Sequence, residues 1–143
     1  MKAKDYLKEY KKQKKIIANC WEEVARWKGV ALSITAAIGG ERVQAAGSKE
    51  RMADAVDCYS DIQRDIDQRR ARAQAILCEI VETIQGLNEA EYDVLFKTYI
   101  LEKQFKEIAA EMKKSESWVK SVHGSALQNL QKILDERERQ KRD

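Results

Sequence analysis

The chain has no proline in 143 residues and only six glycines, so very little in it interrupts a helix. Charged residues make up 36% of the chain and hydrophobic residues 43%, and the hydrophobic residues recur at steps of three and four. Such spacing gives each helix one apolar face and one charged face. The sequence therefore predicts an all-α fold.

Two long segments, at residues 4–34 and 48–86, repeat apolar residues every seven positions. The first repeat is Tyr10, Ile17, Val24 and Ala31, and the second is Met52, Tyr59, Ile66, Ala73 and Ile80. Heptad spacing is typical of helices that pair side by side. We predict that the two segments form a long antiparallel helical hairpin, paired as a coiled coil. Their connection, residues 35–48, is predicted as a loop or a turn of helix.

A helix break separates the hairpin from the rest of the chain. Gly86 is a typical residue for ending a helix. Asn88 follows, with Glu91 three residues later, which is the spacing of a capping box at the start of a new helix. We therefore predict two domains, a helical hairpin over residues 1–86 and a C-terminal domain with a charged, fraying tail over residues 87–143.

The segment IAAEMKKSESWVKSV has the spacing of a helix-turn-helix. It places a small residue, Ala109, where a second helix would cross, and a good N-cap, Ser115, where that helix would begin. Apolar residues occupy the positions that face the neighbouring helix, namely Ile108, Met112, Val119 and Val122. The turn is unusual, because lysines occupy the places where glycine and an apolar residue are typical.

The longer stretch LNEAEYDVLFKTYILEKQFKEIAAEMKKSESWVKSVHGSALQNLQKIL resembles region 4 of sigma-70-type sigma factors over about a third of the chain. With MKAKDYLKEY and ERVQAAGSKERMADAV, the whole chain resembles small phage- and prophage-encoded region 4-like regulators of Gram-positive bacteria. The resemblance implies a three-helix DNA-binding domain that reads promoter DNA, with RNA polymerase as a partner. Because a hairpin stands where a complete sigma factor has region 2, we expect a transcriptional regulator.

The resemblance also implies which side chains would meet double-stranded DNA. The leading edge of the second helix of the helix-turn-helix would enter the major groove, and the turn would hold phosphates. The predicted DNA-binding residues are Lys113, Lys114, Ser115, Glu116, Ser117, Lys120, Ser121 and Gly124. The alternative is an ordinary solvated helix face. Trp118 is expected either at the rim of the core or on the DNA backbone, and His123 on the helix surface or against a phosphate.

Charge is unevenly distributed along the chain. Residues 88–143 contain eleven basic and eleven acidic residues, so their net charge is zero, whereas residues 1–15 contain seven lysines and two acidic residues, which gives +5. Affinity for DNA depends on phosphate neutralisation. We therefore expect the helix-turn-helix to work with a partner, either a second copy in a homodimer or RNA polymerase.

Two other functions fit the same features. Small terminase subunits of DNA packaging also combine a helix-turn-helix with an oligomerising coiled coil. An interaction protein could use a region 4-like fold to dock on polymerase without binding DNA, and the zero net charge of residues 88–143 is compatible with this alternative.

The sequence gives no sign of catalysis or of membrane insertion. It lacks a nucleophile–base pair, a phosphate-binding glycine loop and a metal-ligand cluster, and Cys20, Cys58 and Cys78 form no C-x-x-C pair. We therefore predict a protein that is not an enzyme and needs no cofactor and no metal. Without an apolar run or signal peptide, we expect the cytoplasm of a bacterial host.

Overall fold

The computed structural model describes residues 1–40 and 46–143, and it describes side chains outside residues 35–48. Within these ranges the chain forms helices and short turns, with no β-strand. The predicted all-α fold is therefore confirmed. The predicted connection is helical as far as Gly40 and again from Ala46, and its middle, residues 41–45, lies outside the described residues.

Two long helices, α1 (Ala3–Gly40) and α2 (Ala46–Ile84), follow the heptad pattern. Lys28 Nζ lies 5.6 Å from the centre of the Tyr59 ring, and the Arg70 guanidinium lies 5.6 Å from the Trp21 ring. A later residue of α1 thus meets an earlier residue of α2, so the helices run antiparallel. The helical hairpin is confirmed, and its coiled-coil packing stays a prediction.

One aromatic residue of the hairpin is exposed. The side chain of Trp21 is 41% accessible to solvent. Trp21 directly follows Cys20, which the apolar spacing places at the contact between the two helices. Its own position lies beside that contact, where a pair of helices does not cover it. Val30 and Leu32, on the same helix, are also exposed, at 37% and 70%. The hairpin therefore carries apolar side chains that its own two helices do not cover.

Packing divides the chain into two compact units, one of residues 13–73 and one of residues 1–12 with 74–143. The second unit, which we call the terminal unit, has one apolar core built from both ends of the chain. Its buried members are Ala3, Leu7, Ile80, Ile84, Leu95, Tyr99, Ala126, Leu130 and Leu134. The predicted domain boundary between residues 86 and 87 stays a prediction, and the first twelve residues pack with the C-terminal helices.

Three further helices complete the terminal unit: α3 (Glu89–Leu95), α4 (Phe105–Met112) and α5 (Glu116–Arg142). The predicted capping of α3 is confirmed, because the Asn88 side chain accepts a hydrogen bond of 2.9 Å from the Glu91 N–H. A π-helical turn, Phe96–Ile100, prolongs α3, and a left-handed Glu102 at φ 55° ends it. Residues 101–104 therefore separate this helix from α4.

The charged C-terminal tail was expected to fray, and this prediction is wrong. Helix α5 continues to Arg142 without a break. Arg137 donates a hydrogen bond of 2.9 Å to the hydroxyl of Thr83 at the end of α2, and Gln131 donates one of 3.0 Å to Asp135. These contacts, together with basic residues in the last turn, favour the helix although it lacks an apolar face there.

Candidate nucleic-acid interface

Helices α4 and α5 form the helix-turn-helix that the spacing predicts. Its small core is buried, with Val94 of α3 and Ile108, Ala109 and Val119 as its members. Ala109 is 7% exposed, because α5 crosses close to α4 at this small side chain. Around the core pack four partly buried side chains, namely Phe105, Met112, Trp118 and Val122. Trp118 therefore packs at the rim of the core, as one of its two predicted places requires, and its contact with the DNA backbone stays a prediction.

The turn between the helices adopts a left-handed conformation at a lysine. Lys113 has φ 56° and ψ 44°, the region that glycine enters at the lowest cost. Its N–H donates to the Ala110 carbonyl at 3.4 Å, and the Lys114 N–H donates to the Ala109 carbonyl at 2.9 Å. This pair of bonds is a Schellman motif, so the turn has its usual geometry without its usual glycine.

Helix α5 begins with the predicted cap. The Ser115 hydroxyl accepts a hydrogen bond of 3.1 Å from the Trp118 N–H, which satisfies one of the free donors of the first turn. The Lys114 ammonium group lies 5.4 Å from the centre of the Trp118 ring. The cap and this cation–π contact fix the start of the helix that would enter a groove.

All eight residues predicted to bind DNA are exposed on the terminal unit. Lys113 and Lys114 lie in the turn, and Ser115 and Glu116 lie at the start of α5. The other four follow at helical spacing along one outer face of α5, and they are Ser117, Lys120, Ser121 and Gly124. These side chains are accessible to a ligand, and their contact with DNA stays a prediction.

His123 does not lie on the open surface of α5. Its Nε2 atom is hydrogen-bonded to the Tyr99 hydroxyl at 2.8 Å, and the two rings stack at 5.7 Å with Phe105 tilted against the imidazole at 5.0 Å. Burial, followed by the charge of Lys4, holds the pKa of His123 below its usual value. The expected surface histidine is instead half-buried, because Tyr99 of the π-helical turn and Phe105 of α4 pack against its ring.

Glu91 has a larger role than its capping position predicts. Its side chain is 4% exposed, and one carboxylate oxygen accepts a hydrogen bond of 2.8 Å from Asn129 and a longer one, 3.5 Å, from Ser125. The other oxygen accepts from the Asn88 amide at 2.5 Å. Glu91 therefore ties α3 to α5 below the recognition face. The sequence could not show this, because Asn129 lies 38 positions away.

The sequence shows an excess of lysines near the N-terminus, but it does not show where their side chains lie in the fold. Lys4, Lys8 and Lys11 follow one another at steps of four and three on one face of α1, and they line a pocket with Tyr99 and His123. Their spacing was the available signal. Which surface they would meet depends on long-range packing, which the spacing does not give.

The comparisons with known proteins support the helix-turn-helix. Residues 83–132 match the family model described as Sigma-70, region 4. The matched segment begins at Thr83, near the end of α2, and ends within α5, so it contains α3, α4 and the whole predicted DNA-binding face. Searches of curated proteins and of solved structures gave no match. The C-terminal helices are thus a region 4-like, DNA-binding type of helix-turn-helix.

Residues 1–40 and 46–143 contain no group of three histidine, cysteine or acidic side chains arranged to hold a metal ion. Nor does any helix in the described part of the chain combine the length and apolar character needed to cross a bilayer.

Proposed function

We propose that this protein is a DNA-binding transcriptional regulator of phage or prophage genes, and that α5 reads promoter DNA in the major groove. The observation that carries the proposal is the match of residues 83–132 to Sigma-70, region 4. The exposed outer face of a capped α5 supports it, because a helix-turn-helix needs an accessible second helix to contact base edges. On this proposal the protein is not an enzyme and acts in the cytoplasm of a bacterial host.

Within the interface, each predicted residue has a distinct task. Lys120 would reach a base edge or a phosphate, while Ser117 and Ser121 would make short hydrogen bonds and Gly124 would allow close approach of the backbone. Lys113 and Lys114 would bind phosphates from the turn. Lys114 already holds its charge near Trp118, which lowers the entropy lost when it binds.

The test is selection of binding sites from a pool of randomised duplexes, followed by footprinting with and without RNA polymerase. A single preferred motif is expected. Lys120→Ala should weaken binding to that motif by about 5- to 150-fold, the effect of losing 1 to 3 kcal/mol at a base contact. Lys132→Ala is the matched control, because Lys132 is an exposed lysine of the same helix, further from the turn.

The outcomes separate the alternatives. A selected motif that Lys120→Ala weakens and Lys132→Ala does not supports the proposal. No protection of any sequence, with or without polymerase, refutes it. Binding to polymerase that persists without DNA protection would instead favour a pure interaction protein.

We further propose that the hairpin binds a second copy of the chain, with RNA polymerase as a partner of the assembled dimer. The exposed side chains of Trp21, Val30 and Leu32 support this, because apolar groups left uncovered by a hairpin favour association into a larger helical bundle. Near Leu32, Met52 and Val56 of α2 line an apolar groove.

Analytical ultracentrifugation tests the dimer. The chain should sediment as a dimer, and Leu32→Glu should shift it to a monomer because the charge would be buried at the contact. Ser33→Glu places the same charge on the neighbouring exposed position and should leave the dimer intact. A wild-type chain that is monomeric at tens of micromolar, on the order of the concentrations at which weak dimers form, contradicts the proposal. A large ring of subunits would instead favour DNA packaging.

A further inference from the structure

A pocket of about 300 Å³ opens beside the recognition helix within the terminal unit. One wall is the lysine face of α1, formed by Lys4, Lys8 and Lys11. The opposite wall is formed by Tyr99 and His123, which are joined by the hydrogen bond of 2.8 Å. His123 lies three residues after Lys120 and directly before Gly124, so the pocket borders the face of α5 that would meet DNA.

The three lysines are poorly compensated by acidic groups. Among the described residues, Lys4 and Lys8 form no ion pair, and Lys11 Nζ lies 3.6 Å from a carboxylate oxygen of Glu102. That pair is solvent-exposed, with side chains 65% and 38% accessible, and such pairs hold their partners weakly. Burial lowers the pKa of the His123 imidazole, and the positive charge of Lys4 lowers it further. The pocket therefore favours the binding of a negatively charged group.

Thr98 and Phe105 complete the lining of the pocket. The hydroxyl oxygen of Thr98, another lining residue, is buried and has no hydrogen-bond partner within the described part of the chain. This hydroxyl exposes almost no surface, so it does not open onto the pocket. Phe105, which opens α4, also lines the pocket, and Gln104 gives that helix no side-chain cap. The free N–H groups of the first turn favour an anion.

We propose that this pocket binds a phosphate group, with Lys4 and Lys8 as its main cationic contacts. The source that the position favours is a backbone phosphate of the DNA bound by α5, and in this respect the inference rests on the proposed function. Free phosphate offers the same chemistry, so the experiment has one arm for each source.

This assignment accounts for the charge distribution along the chain. Residues 88–143 carry no net charge, whereas residues 1–12 carry five lysines and two acidic residues, a net charge of +3. Because both segments belong to the terminal unit, the N-terminal helix supplies the phosphate neutralisation that the helix-turn-helix lacks. DNA contact would then extend from α5 across the pocket to α1.

The first arm measures the binding of a fluorescent duplex of mixed sequence over about 0.05 to 0.2 M salt, since phosphate contacts do not depend on base sequence. The double variant Lys4→Ala/Lys8→Ala should bind on the order of 30-fold more weakly at physiological salt, and the salt slope should fall by about two. The control is Lys12→Ala/Lys15→Ala, which removes the same charge from exposed positions of α1 that do not line the pocket. The control should retain most of the affinity and slope.

The second arm titrates inorganic phosphate without DNA and follows the His123 imidazole and Thr98 amide resonances. Saturable shifts in the wild type that disappear in Lys4→Ala/Lys8→Ala support the phosphate site, whichever source fills it.

The two arms keep the inference and the proposed function apart. If the wild type binds no duplex but its pocket binds phosphate, the proposed function fails and the inference survives with free phosphate as the source. If the wild type binds duplex, both double variants match it, and phosphate causes no saturable shift, the inference is overturned while the proposed function stands.

Discussion

Replacing Lys113 by glycine should stabilise the protein, because the lysine holds the left-handed position of the turn between α4 and α5. A residue with a Cβ pays about 1 to 2 kcal/mol in this region. Glycine avoids that cost but loses about 0.4 to 1 kcal/mol through the greater freedom of the unfolded chain. The difference predicts a net gain of roughly 0.5 to 1 kcal/mol for Lys113→Gly.

The substitution removes no stabilising contact of the Lys113 side chain that the described residues show. The Lys113 side chain is exposed and, within the described residues, makes no hydrogen bond or ion pair. Both bonds of the turn use backbone groups, the N–H groups of Lys113 and Lys114, and glycine keeps them. The entire effect therefore comes from the backbone conformation.

Urea unfolding followed by far-ultraviolet circular dichroism measures the effect. With a slope of about 2 kcal/mol per molar urea, the gain should raise the midpoint by roughly 0.3 to 0.5 M. Lys113→Ala keeps the Cβ and removes the charge, so it should leave the midpoint almost unchanged. Lys120→Gly places glycine in a right-handed helix and should cost about 1 kcal/mol.

The reasoning is refuted if Lys113→Gly unfolds at the same or a lower urea concentration than the wild type. It also fails if Lys113→Ala gives the same gain, because the charge and not the backbone would then be responsible. On the proposed function, the stabilised Lys113→Gly variant should bind DNA less tightly, by about fivefold for one lost phosphate contact.

Glu91→Gln should cost about 1 to 3 kcal/mol, since an amide cannot accept all the buried hydrogen bonds of the carboxylate, and Glu89→Gln on the exposed side of α3 should change little. Equal urea midpoints for these two variants would contradict the role given to the buried network. Leu7→Ala should cost about 2 to 5 kcal/mol in the same assay, because the side chain is fully buried in the terminal unit, whereas Leu101→Ala, at a side chain that is 47% exposed, should cost much less. The midpoint should also fall as the pH drops from about 7.5 to 5.5, because the pKa of His123 is lowered by its burial and the unfolded chain then binds the extra proton below about pH 6.5. The stability that the neutral His123 contributes is fully present above that pH. His123→Gln should reduce the dependence of the urea midpoint on pH. A wild-type midpoint that stays constant or rises on acidification would count against this prediction.

The sequence predicted those features of the fold that depend on neighbours along the chain. Asn88 and Ser115 cap the helices that their spacing predicts, because each bonds an N–H three residues away. The buried positions Ile108 and Val119 follow from the same local periodicity. The placement of the eight candidate DNA-binding residues on an accessible surface follows from it as well.

The features that the sequence did not predict depend on contacts between distant segments. His123 was expected at the surface, but its burial requires Tyr99 and Phe105 on that side of α5. The helical tail was missed for a similar reason, because Arg137 is held by Thr83, 54 positions away. Periodicity gives each helix an apolar face but not the partner that covers it, so the pocket beside α5 could not be foreseen.

The shared core of the terminal unit constrains the order in which the chain can fold. The Ala3 N–H donates a hydrogen bond of 2.7 Å to Gln131 across 128 positions, and Leu7 lies in one core with Leu130. Closing so long a loop directly would be slow. Pairing of α1 with α2 first brings Leu7 beside Ile80 and Ile84, which turns the remaining closure into a short one. We therefore expect the hairpin to form early, and the start of α5, which would enter the groove, to reach its final setting only after the rest of that helix has been synthesised.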